Sequence, residues 1–226
     1  MNELELHGTG LDNVFTIELN GLKRIVTKSL VPGIPGEKTI RFGSEEYRIW
    51  DPFHSKLAAI LLKRTAVPLK KDSAVLYLGA ANGTTVSHVS DIVPDGTVYG
   101  VEFSPRAMQD LIHVSARRNN LIPVLADAMQ PESYRNIVPE VDIIYQDVSQ
   151  REQAKMAVRN CEMFLKKGGF LVLIIKSRSI DVIRTTKDVV DDEIKVLGDS
   201  FEILGRIDLE PFHSGHAAVL ARKKSL

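Results

Sequence analysis

The sequence predicts an α/β fold: a seven-stranded mixed sheet whose last strand pair is antiparallel, preceded by a small N-terminal β domain. From about residue 54, apolar strand-like runs alternate with segments of helical spacing. The last two runs are joined by a connection too short for a crossover helix, so they should pair antiparallel. Residues before this point carry only short β-like runs. We therefore expect a β domain at 1–53 and a second domain at 54–226.

The N-terminal part contains four β-like runs and no helical period. An Asn20-Gly21 dipeptide and a loop rich in proline and glycine at residues 32–36 separate them, and both are turn signals. A small, mostly antiparallel sheet is therefore expected. Its runs lie at residues 14–19, 22–28, 38–42 and 46–50.

The second part supplies the strands and helices of the larger sheet. Its strand-like runs are nearly all apolar, which indicates a parallel sheet covered on both faces. The runs lie at residues 75–79, 98–102, 123–127, 141–147, 169–176, 201–209 and 216–222. Helical spacing marks residues 84–92, a segment that begins at the Ser104-Pro105 cap, and residues 151–166, which end at Gly168. This arrangement is typical of class I, Rossmann-like methyltransferases.

Composition excludes several classes of protein. The chain has 226 residues, 44% of them hydrophobic and 26% charged, as in ordinary globular proteins. Its single cysteine, Cys161, excludes a disulfide framework and a thiolate-rich zinc site. No apolar run reaches membrane-spanning length, and the acidic residues 1–5 do not resemble a signal peptide. We expect a cytoplasmic protein.

A small-residue loop between the first strand of the second domain and its helix is the first candidate site. Glycine lets the backbone approach a ligand closely, and the helix start offers free N–H groups. A tight turn also needs small residues when nothing is bound, and the loop lacks the dinucleotide glycine spacing. Its candidate ligand-binding residues are Gly79, Ala81, Gly83, Thr84 and Thr85.

Acidic residues end the next two strands. Glu102 could accept hydrogen bonds from both hydroxyls of an adenosine ribose, and neighbouring Phe103 could flank the adenine. Asp127 and Ala128 stand where a carboxylate could receive the adenine amino group. A glycine loop followed by two strand-end acids points to an adenosine ligand at the carboxyl edge of the sheet.

Asp147 and Lys176 end the fourth and fifth strands of this sheet. A lysine that terminates so apolar a run is a candidate proton acceptor, which the neighbouring carboxylate would orient. Lys56 at the start of the first helix and His216 at the start of the last strand could join them. Plainer interpretations also stay open: Asp147 and Lys176 as a structural ion pair, Lys56 as a solvated helix lysine, and His216 as a strand-end histidine.

With these positions the sequence resembles fibrillarin in its archaeal form. The likeness covers essentially the whole chain, and residues 47–57 resemble the segment that joins the family's two domains. The matching stretches are residues 78–88 (LGAANGTTVSH), 98–106 (VYGVEFSPR), 145–150 (YQDVSQ) and 175–181 (IKSRSID). Asn82 and Ser149 stand where the family commonly has Ser and Ala, and the residues before His216 also depart from its pattern.

The resemblance implies guide-directed 2′-O-methylation of ribose in ribosomal and transfer RNA, with S-adenosylmethionine as the methyl donor and no metal. It implies a catalytic tetrad of Lys56, Asp147, Lys176 and His216. It also implies a box C/D ribonucleoprotein with a guide RNA, a Nop-domain scaffold and a kink-turn-binding protein of ribosomal type. The cofactor contacts that it implies are Thr84, Thr85, Glu102, Phe103, Asp127, Ala128, Asp147, Val148, Ser149 and Gln150.

The charge balance agrees with a ribonucleoprotein in which other components hold the RNA. The chain has 29 basic and 29 acidic side chains, whereas proteins that hold RNA alone depend on neutralising its phosphates. We expect weak RNA binding by the isolated chain.

Three alternatives stay open at this stage. Another class I methyltransferase, acting on a base, a protein or a small molecule, would share the sheet and the glycine loop. A nicotinamide-dependent oxidoreductase is disfavoured by the glycine spacing and by the antiparallel last strand. A non-catalytic subunit of a ribonucleoprotein could keep the fold without turnover.

Overall fold

The computed structural model describes residues 5–34 and 36–225. Residues 1–4, Pro35 and Leu226 lie outside the described residues, and with them most of the acidic start of the chain and part of the loop at 32–36. The described residues form two β-sheets and six α-helices. None of these helices combines the length and the hydropathy that crossing a bilayer requires.

The first sheet is antiparallel and has the strand order β1-β2-β3-β5-β4. Asn20 and Gly21 both have positive φ, as a tight hairpin turn between β2 and β3 requires. All four predicted runs are strands, and the antiparallel arrangement is confirmed. The first strand was not predicted, because two residues show no pattern. The strands are β1 (His7–Gly8), β2 (Val14–Leu19), β3 (Leu22–Lys28), β4 (Thr39–Phe42) and β5 (Glu45–Trp50).

The second sheet has seven strands in the order β11-β12-β10-β9-β6-β7-β8. Five of them are parallel, and β12 runs antiparallel to both of its neighbours, β10 and β11. The predicted mixed sheet with its antiparallel last pair is therefore confirmed. The strands are β6 (Ala74–Leu78), β7 (Thr97–Glu102), β8 (Leu121–Leu125), β9 (Val141–Gln146), β10 (Leu165–Lys176), β11 (Phe201–Asp208) and β12 (His216–Lys223).

The helices are α1 (Lys56–Leu62), α2 (Thr84–Ile92), α3 (Pro105–Ser115), α4 (Gln153–Phe164), α5 (Ser177–Ile180) and α6 (Thr186–Leu197). Ser104 caps α3, as predicted, by accepting a hydrogen bond from the backbone N–H of Ala107. The prediction that α4 reaches Gly168 was wrong. The backbone is already extended at Leu165, where β10 begins, and Gly168 lies at an irregularity within that strand. The sequence analysis did not identify α5 and α6.

Apolar side chains cover both faces of the seven-stranded sheet. One buried cluster joins a face of this sheet to α1, α2 and the inner side of the first sheet, through residues such as Ile25, Trp50 and Leu57. A second cluster joins the opposite face to α4 and α6, through residues such as Cys161 and Val190. The first sheet therefore shares its core with the part of the chain that forms the second sheet.

A buried ion network joins the two sheets at Asp91 on α2. Its carboxylate lies 2.5 Å from Arg48 Nη1 of β5 and 2.7 Å from Arg118 Nη1. It also accepts hydrogen bonds from Thr27 Oγ1 and from the backbone N–H of Leu30. Since these side chains are buried, each charge depends on its partners for compensation.

We expect Asp91→Ala to lower the free energy of unfolding by about 3–5 kcal/mol, because two buried guanidinium groups would lose their shared carboxylate. Urea denaturation followed by circular dichroism measures this change. The matched control is Asp192→Ala, which removes a carboxylate that also bridges two basic residues, Arg184 and Lys195, but on the surface. The prediction fails if the two variants unfold at the same urea concentration.

Candidate active site

The carboxyl ends of the parallel strands meet at one edge of the larger sheet. There β6 leads into Gly79, β7 ends at Glu102, β9 leads into Asp147, and β10 ends at Lys176. Parallel strands bring such positions together however far apart they lie in the chain. The residues singled out from the sequence therefore share one edge of the sheet.

The glycine loop follows β6 and presses against the segment that follows β9. Gly79 has φ +85°, and a Cβ atom there would lie 2.5 Å from the backbone oxygen of Asp147. Gly83, also at positive φ, is the N-cap of α2. Ala81 has positive φ as well, which is uncommon for a residue with a side chain. The loop therefore has a backbone conformation that tolerates only a small residue at its first position, Gly79.

Glu102 braces this loop from the neighbouring strand. It is buried, its Oε2 accepts a hydrogen bond from the backbone N–H of Ala81 at 2.9 Å, and its Oε1 accepts one from Ser104 at 2.8 Å. Each carboxylate oxygen can accept a second hydrogen bond, for example from a ligand hydroxyl. Next to it, Phe103 leaves 69% of its surface exposed. An exposed phenyl ring beside a carboxylate suits a flat heterocycle that carries a ribose.

The third strand of the larger sheet in chain order, β8, ends earlier than predicted. We expected it to run to Asp127, but β8 ends at Leu125, and Asp127 lies in the turn that follows. There its Oδ1 accepts a hydrogen bond from the backbone N–H of Met129 at 2.9 Å, which stabilises the turn. Ala128 is buried behind it. Both residues still lie at the carboxyl edge of the sheet.

The hydroxyl groups at the start of α2 already have partners. Asn82 Oδ1 accepts hydrogen bonds from the backbone N–H and the hydroxyl of Thr84, at 3.3 and 2.9 Å. Thr85 Oγ1 donates to Ser55 Oγ at 3.1 Å, which connects this helix to the N-cap of α1. Asn82 therefore satisfies one of the N–H groups that a helix start would offer to a ligand.

Asp147 lies between two lysines. Its Oδ1 is 2.7 Å from Lys176 Nζ and its Oδ2 is 3.0 Å from Lys56 Nζ, and all three side chains are largely buried. Burial raises the pKa of Asp147, but the charges of Lys176 and Lys56 outweigh it and hold this pKa below its ordinary value. The aspartate is therefore ionised, and two ammonium groups share its single negative charge.

The Lys176 amine has further acceptors on the segment after β9. Its Nζ donates to Ser149 Oγ at 3.0 Å and approaches the backbone oxygen of Asp147 at 3.4 Å. Val148 packs beside the glycine loop, where a Cβ on Gly79 would meet it at 3.2 Å. Gln150 Oε1 is buried and has no hydrogen-bond partner among the described residues.

His216 completes the group. It lies directly opposite Lys176 in the register between β12 and β10, and its Nδ1 is 2.8 Å from the backbone oxygen of Ser214. Partial burial, together with the charges of Lys56 and Lys176, lowers the pKa of His216 below its ordinary value. The imidazole is therefore neutral at neutral pH, and all four residues of the predicted tetrad lie in one region.

The sequence analysis missed a glutamine that fixes the backbone of Lys176. Gln153 Oε1 accepts a hydrogen bond from the backbone N–H of Lys176 at 2.9 Å, and Gln146 donates to the backbone oxygen of Gln153. Both glutamines are fully buried. A buried glutamine at a core position of a helix was the available signal, because buried amides need specific partners.

The fibrillarin family model matches residues 6–225, nearly the whole chain. A fibrillarin-like rRNA/tRNA 2′-O-methyltransferase from Methanosarcina barkeri is 51% identical over 219 residues, which are 94% of this chain and 96% of the relative. The chain belongs to the fibrillarin family. This membership agrees with the resemblance found in the sequence. The matching stretches quoted there include the glycine loop and the residues around Asp147.

Two solved fibrillarin structures resemble this chain closely. One is Aeropyrum pernix fibrillarin with natively bound S-adenosyl-L-methionine, with a TM-score of 0.89 and 46% identity, covering 98% of this chain and 100% of that one. The other is a fibrillarin/Nop5p complex, with a TM-score of 0.85 and 41% identity, covering 94% of this chain and 98% of that one. The fold of this fibrillarin-family chain is thus that of its solved relatives.

We expect Gly79→Ala to destabilise this fibrillarin-family protein by about 1–3 kcal/mol, the usual range for a side chain forced into a disfavoured backbone conformation. The new methyl group would also clash with the backbone of Asp147. Chemical denaturation measures the loss. The control is Gly205→Ala in β11, where a Cβ atom would meet nothing within 4 Å. Equal stability of the two variants would contradict the strain inferred at residue 79.

Proposed function

We propose that this protein transfers a methyl group from S-adenosylmethionine to ribose 2′-hydroxyl groups of ribosomal and transfer RNA. The observation that carries the proposal is the group of two lysine amines on one buried aspartate, beside a glycine loop and a strand-end glutamate. Two amines at one carboxylate provide a proton acceptor and a positive group to orient the nucleophile. The relatives named as rRNA/tRNA 2′-O-methyltransferases support the same activity.

The residues of the site fit S-adenosylmethionine. Glu102 keeps lone pairs for the two ribose hydroxyls, and exposed Phe103 offers a face to the adenine. The unpartnered Gln150 Oε1 is an acceptor that suits the ammonium of the methionine moiety. Val148 and Ser149 line the same segment. In this proposal the remaining cofactor contacts are Gly79, Ala81, Gly83, Thr84, Thr85, Asp127, Ala128 and Asp147.

Proton transfer is the task of Lys176 in the proposed mechanism. When bound, S-adenosylmethionine supplies an electrophilic methyl group on its sulfonium. A ribose hydroxyl is a weak nucleophile. Lys176 therefore first releases one proton to solvent, and its neutral Nζ then accepts the hydroxyl proton while the ribose oxygen bonds the methyl carbon and the bond from that carbon to sulfur breaks. Asp147 then stabilises the resulting ammonium through the ion pair at 2.7 Å. Ser149 and the backbone oxygen of Asp147 keep the amine pointed in one direction.

Lys56 and His216 orient the substrate in this proposal. Lys56 stays charged on Asp147 Oδ2 and attracts the ribose oxygen or a neighbouring phosphate. His216, held neutral, can hydrogen-bond the nucleotide without adding another positive charge. Positioning of this kind can account for a large part of a methyl transferase's rate acceleration, because the reacting atoms are held in line.

The proposed setting is a box C/D ribonucleoprotein in the cytoplasm. A zero net charge gives the isolated chain little attraction for phosphates, so a guide RNA, a scaffold and a kink-turn-binding protein would hold the target. The solved complex of a related fibrillarin with Nop5p supports a scaffold of that kind.

We expect Lys176→Ala to lower single-turnover methylation by about 10²-fold or more, the range for losing a general base. S-adenosylmethionine binding, measured by calorimetry, should change little. The assay is radiolabelled methyl transfer to a guide-paired RNA in the assembled ribonucleoprotein, and a target with a 2′-deoxy nucleotide should accept no label.

Lys176→Arg separates catalysis from a structural ion pair. Arginine keeps the positive charge beside Asp147 but does not give up its proton, so the variant should be as inactive as Lys176→Ala. Lys195→Ala, at an exposed surface pair, serves as the control. An active Lys176→Arg enzyme would overturn the role of Lys176, and methylation of the 2′-deoxy target would overturn the proposed substrate group.

A further inference from the structure

An exposed aromatic side chain borders the active site. Phe53 leaves 55% of its surface exposed and leans edge-on against Phe212, with 5.1 Å between the ring centroids. Phe212, in the loop between β11 and β12, is itself packed against the core. Exposed apolar side chains that adjoin one another can mark a contact site for a partner. We call Phe53 and Phe212 the aromatic pair.

The backbone around Phe53 is fixed. Asp51 Oδ1 accepts a hydrogen bond from the backbone N–H of Phe53 at 2.9 Å, and Asp51 Oδ2 lies 3.0 Å from His54 Nδ1. From the other side, His213 lies against the backbone of Pro52. An ordered turn therefore presents the Phe53 ring to solvent. Because this turn is already fixed, little conformational entropy would be lost on contact with a partner.

The aromatic pair is continuous with the reaction centre. His213, next to Phe212 in the chain, has its ring centroid 5.9 Å from that of His216. His216 stands opposite Lys176. Partial burial lowers the pKa of His213 and of His216, and the charge of Lys56 lowers both further. The aromatic pair thus borders the site on the side of Lys56.

A free guanidinium packs against the loop between β11 and β12, which also carries Phe212. A Cβ atom on Gly215 in this loop would meet Arg178 Cγ and Nε at 3.6 Å. Arg178 is exposed and forms no ion pair with any acidic side chain in the described part of the chain. An apolar ring and an uncompensated positive charge that adjoin the same loop are complementary to a sugar–phosphate strand.

We propose that the aromatic pair packs against the ribose that neighbours the methylated nucleotide, while Arg178 contacts the adjoining phosphate. The inference rests on the proposed function and specifies how the RNA lies on the site. In an A-form duplex the 2′-hydroxyl groups line a wide, shallow minor groove, which a protruding side chain can reach. A ring that stands out from the surface next to Lys56 fits such a groove.

The first test replaces the ring in the assembled ribonucleoprotein. Phe53→Ala should raise KM for the guide-paired target about tenfold, as expected for one lost aromatic contact, and leave kcat within about twofold. Phe53→Trp should restore the wild-type KM. The matched control is Ile137→Ala, which is 52% exposed and lies before β9, at the opposite edge of the sheet. An unchanged KM for Phe53→Ala would overturn the proposal.

The second test maps the contact directly. A photoreactive p-benzoyl-phenylalanine in place of Phe53 should cross-link to the target strand within two nucleotides of the methylated position, and the same probe at residue 137 should not. Cross-linking to the scaffold protein instead would overturn the proposal and identify a protein interface. If wild-type particles methylate no target at all, the proposed function fails, whereas methylating particles without this cross-link refute only the aromatic contact.

The third test addresses the charge. Arg178→Ala should weaken target binding and reduce the slope of the logarithm of affinity against the logarithm of salt concentration by about one, the effect of losing one phosphate contact. Lys187→Ala, another basic residue in the same part of the chain, is the control. An unchanged slope for Arg178→Ala would remove the phosphate contact from the proposal.

Discussion

The active site is organised around the buried carboxylate of Asp147. A single negative charge here holds two ammonium groups, from the start of α1 and from the end of β10, within 3.0 Å. Neither lysine would stay so deeply buried without that carboxylate, because an unpaired charge away from water is strongly unfavourable. The close approach of Gly79 to the same segment then fixes the carboxylate relative to the loop. One ionised side chain thus sets the positions of the groups that the proposed mechanism uses.

A second buried charge has a comparable role for the fold as a whole. Asp91 joins Arg48 of the first sheet to Arg118, and the apolar core continues across the same boundary. The boundary predicted at residue 53 remains a prediction, and these shared contacts favour a first sheet that depends on the second part for stability.

The sequence was informative wherever a local pattern determines the structure. Alternation of apolar runs and helical spacing identified all seven strands of the large sheet. Helical spacing located α2, and the Ser104-Pro105 cap located the start of α3. Element ends were less predictable: β8 stops before Asp127, since that side chain stabilises a turn, and α4 stops before Gly168. α6 carries charged residues around only a few apolar ones, a pattern that also suits an exposed loop. In the structure its buried residues pack against α4, a contact that no local pattern reveals.

By itself, the sequence determined the fold class, the family and the identity of the residues at the strand ends, because these follow from periodicity and from ordered motifs. Only the tertiary structure decided how those residues meet. Two lysines 120 positions apart in the chain share one aspartate, Gln153 holds the backbone of Lys176, and Phe53 leans on Phe212. Such contacts depend on strand order and register, which bring distant segments together and leave no trace in any local stretch of sequence.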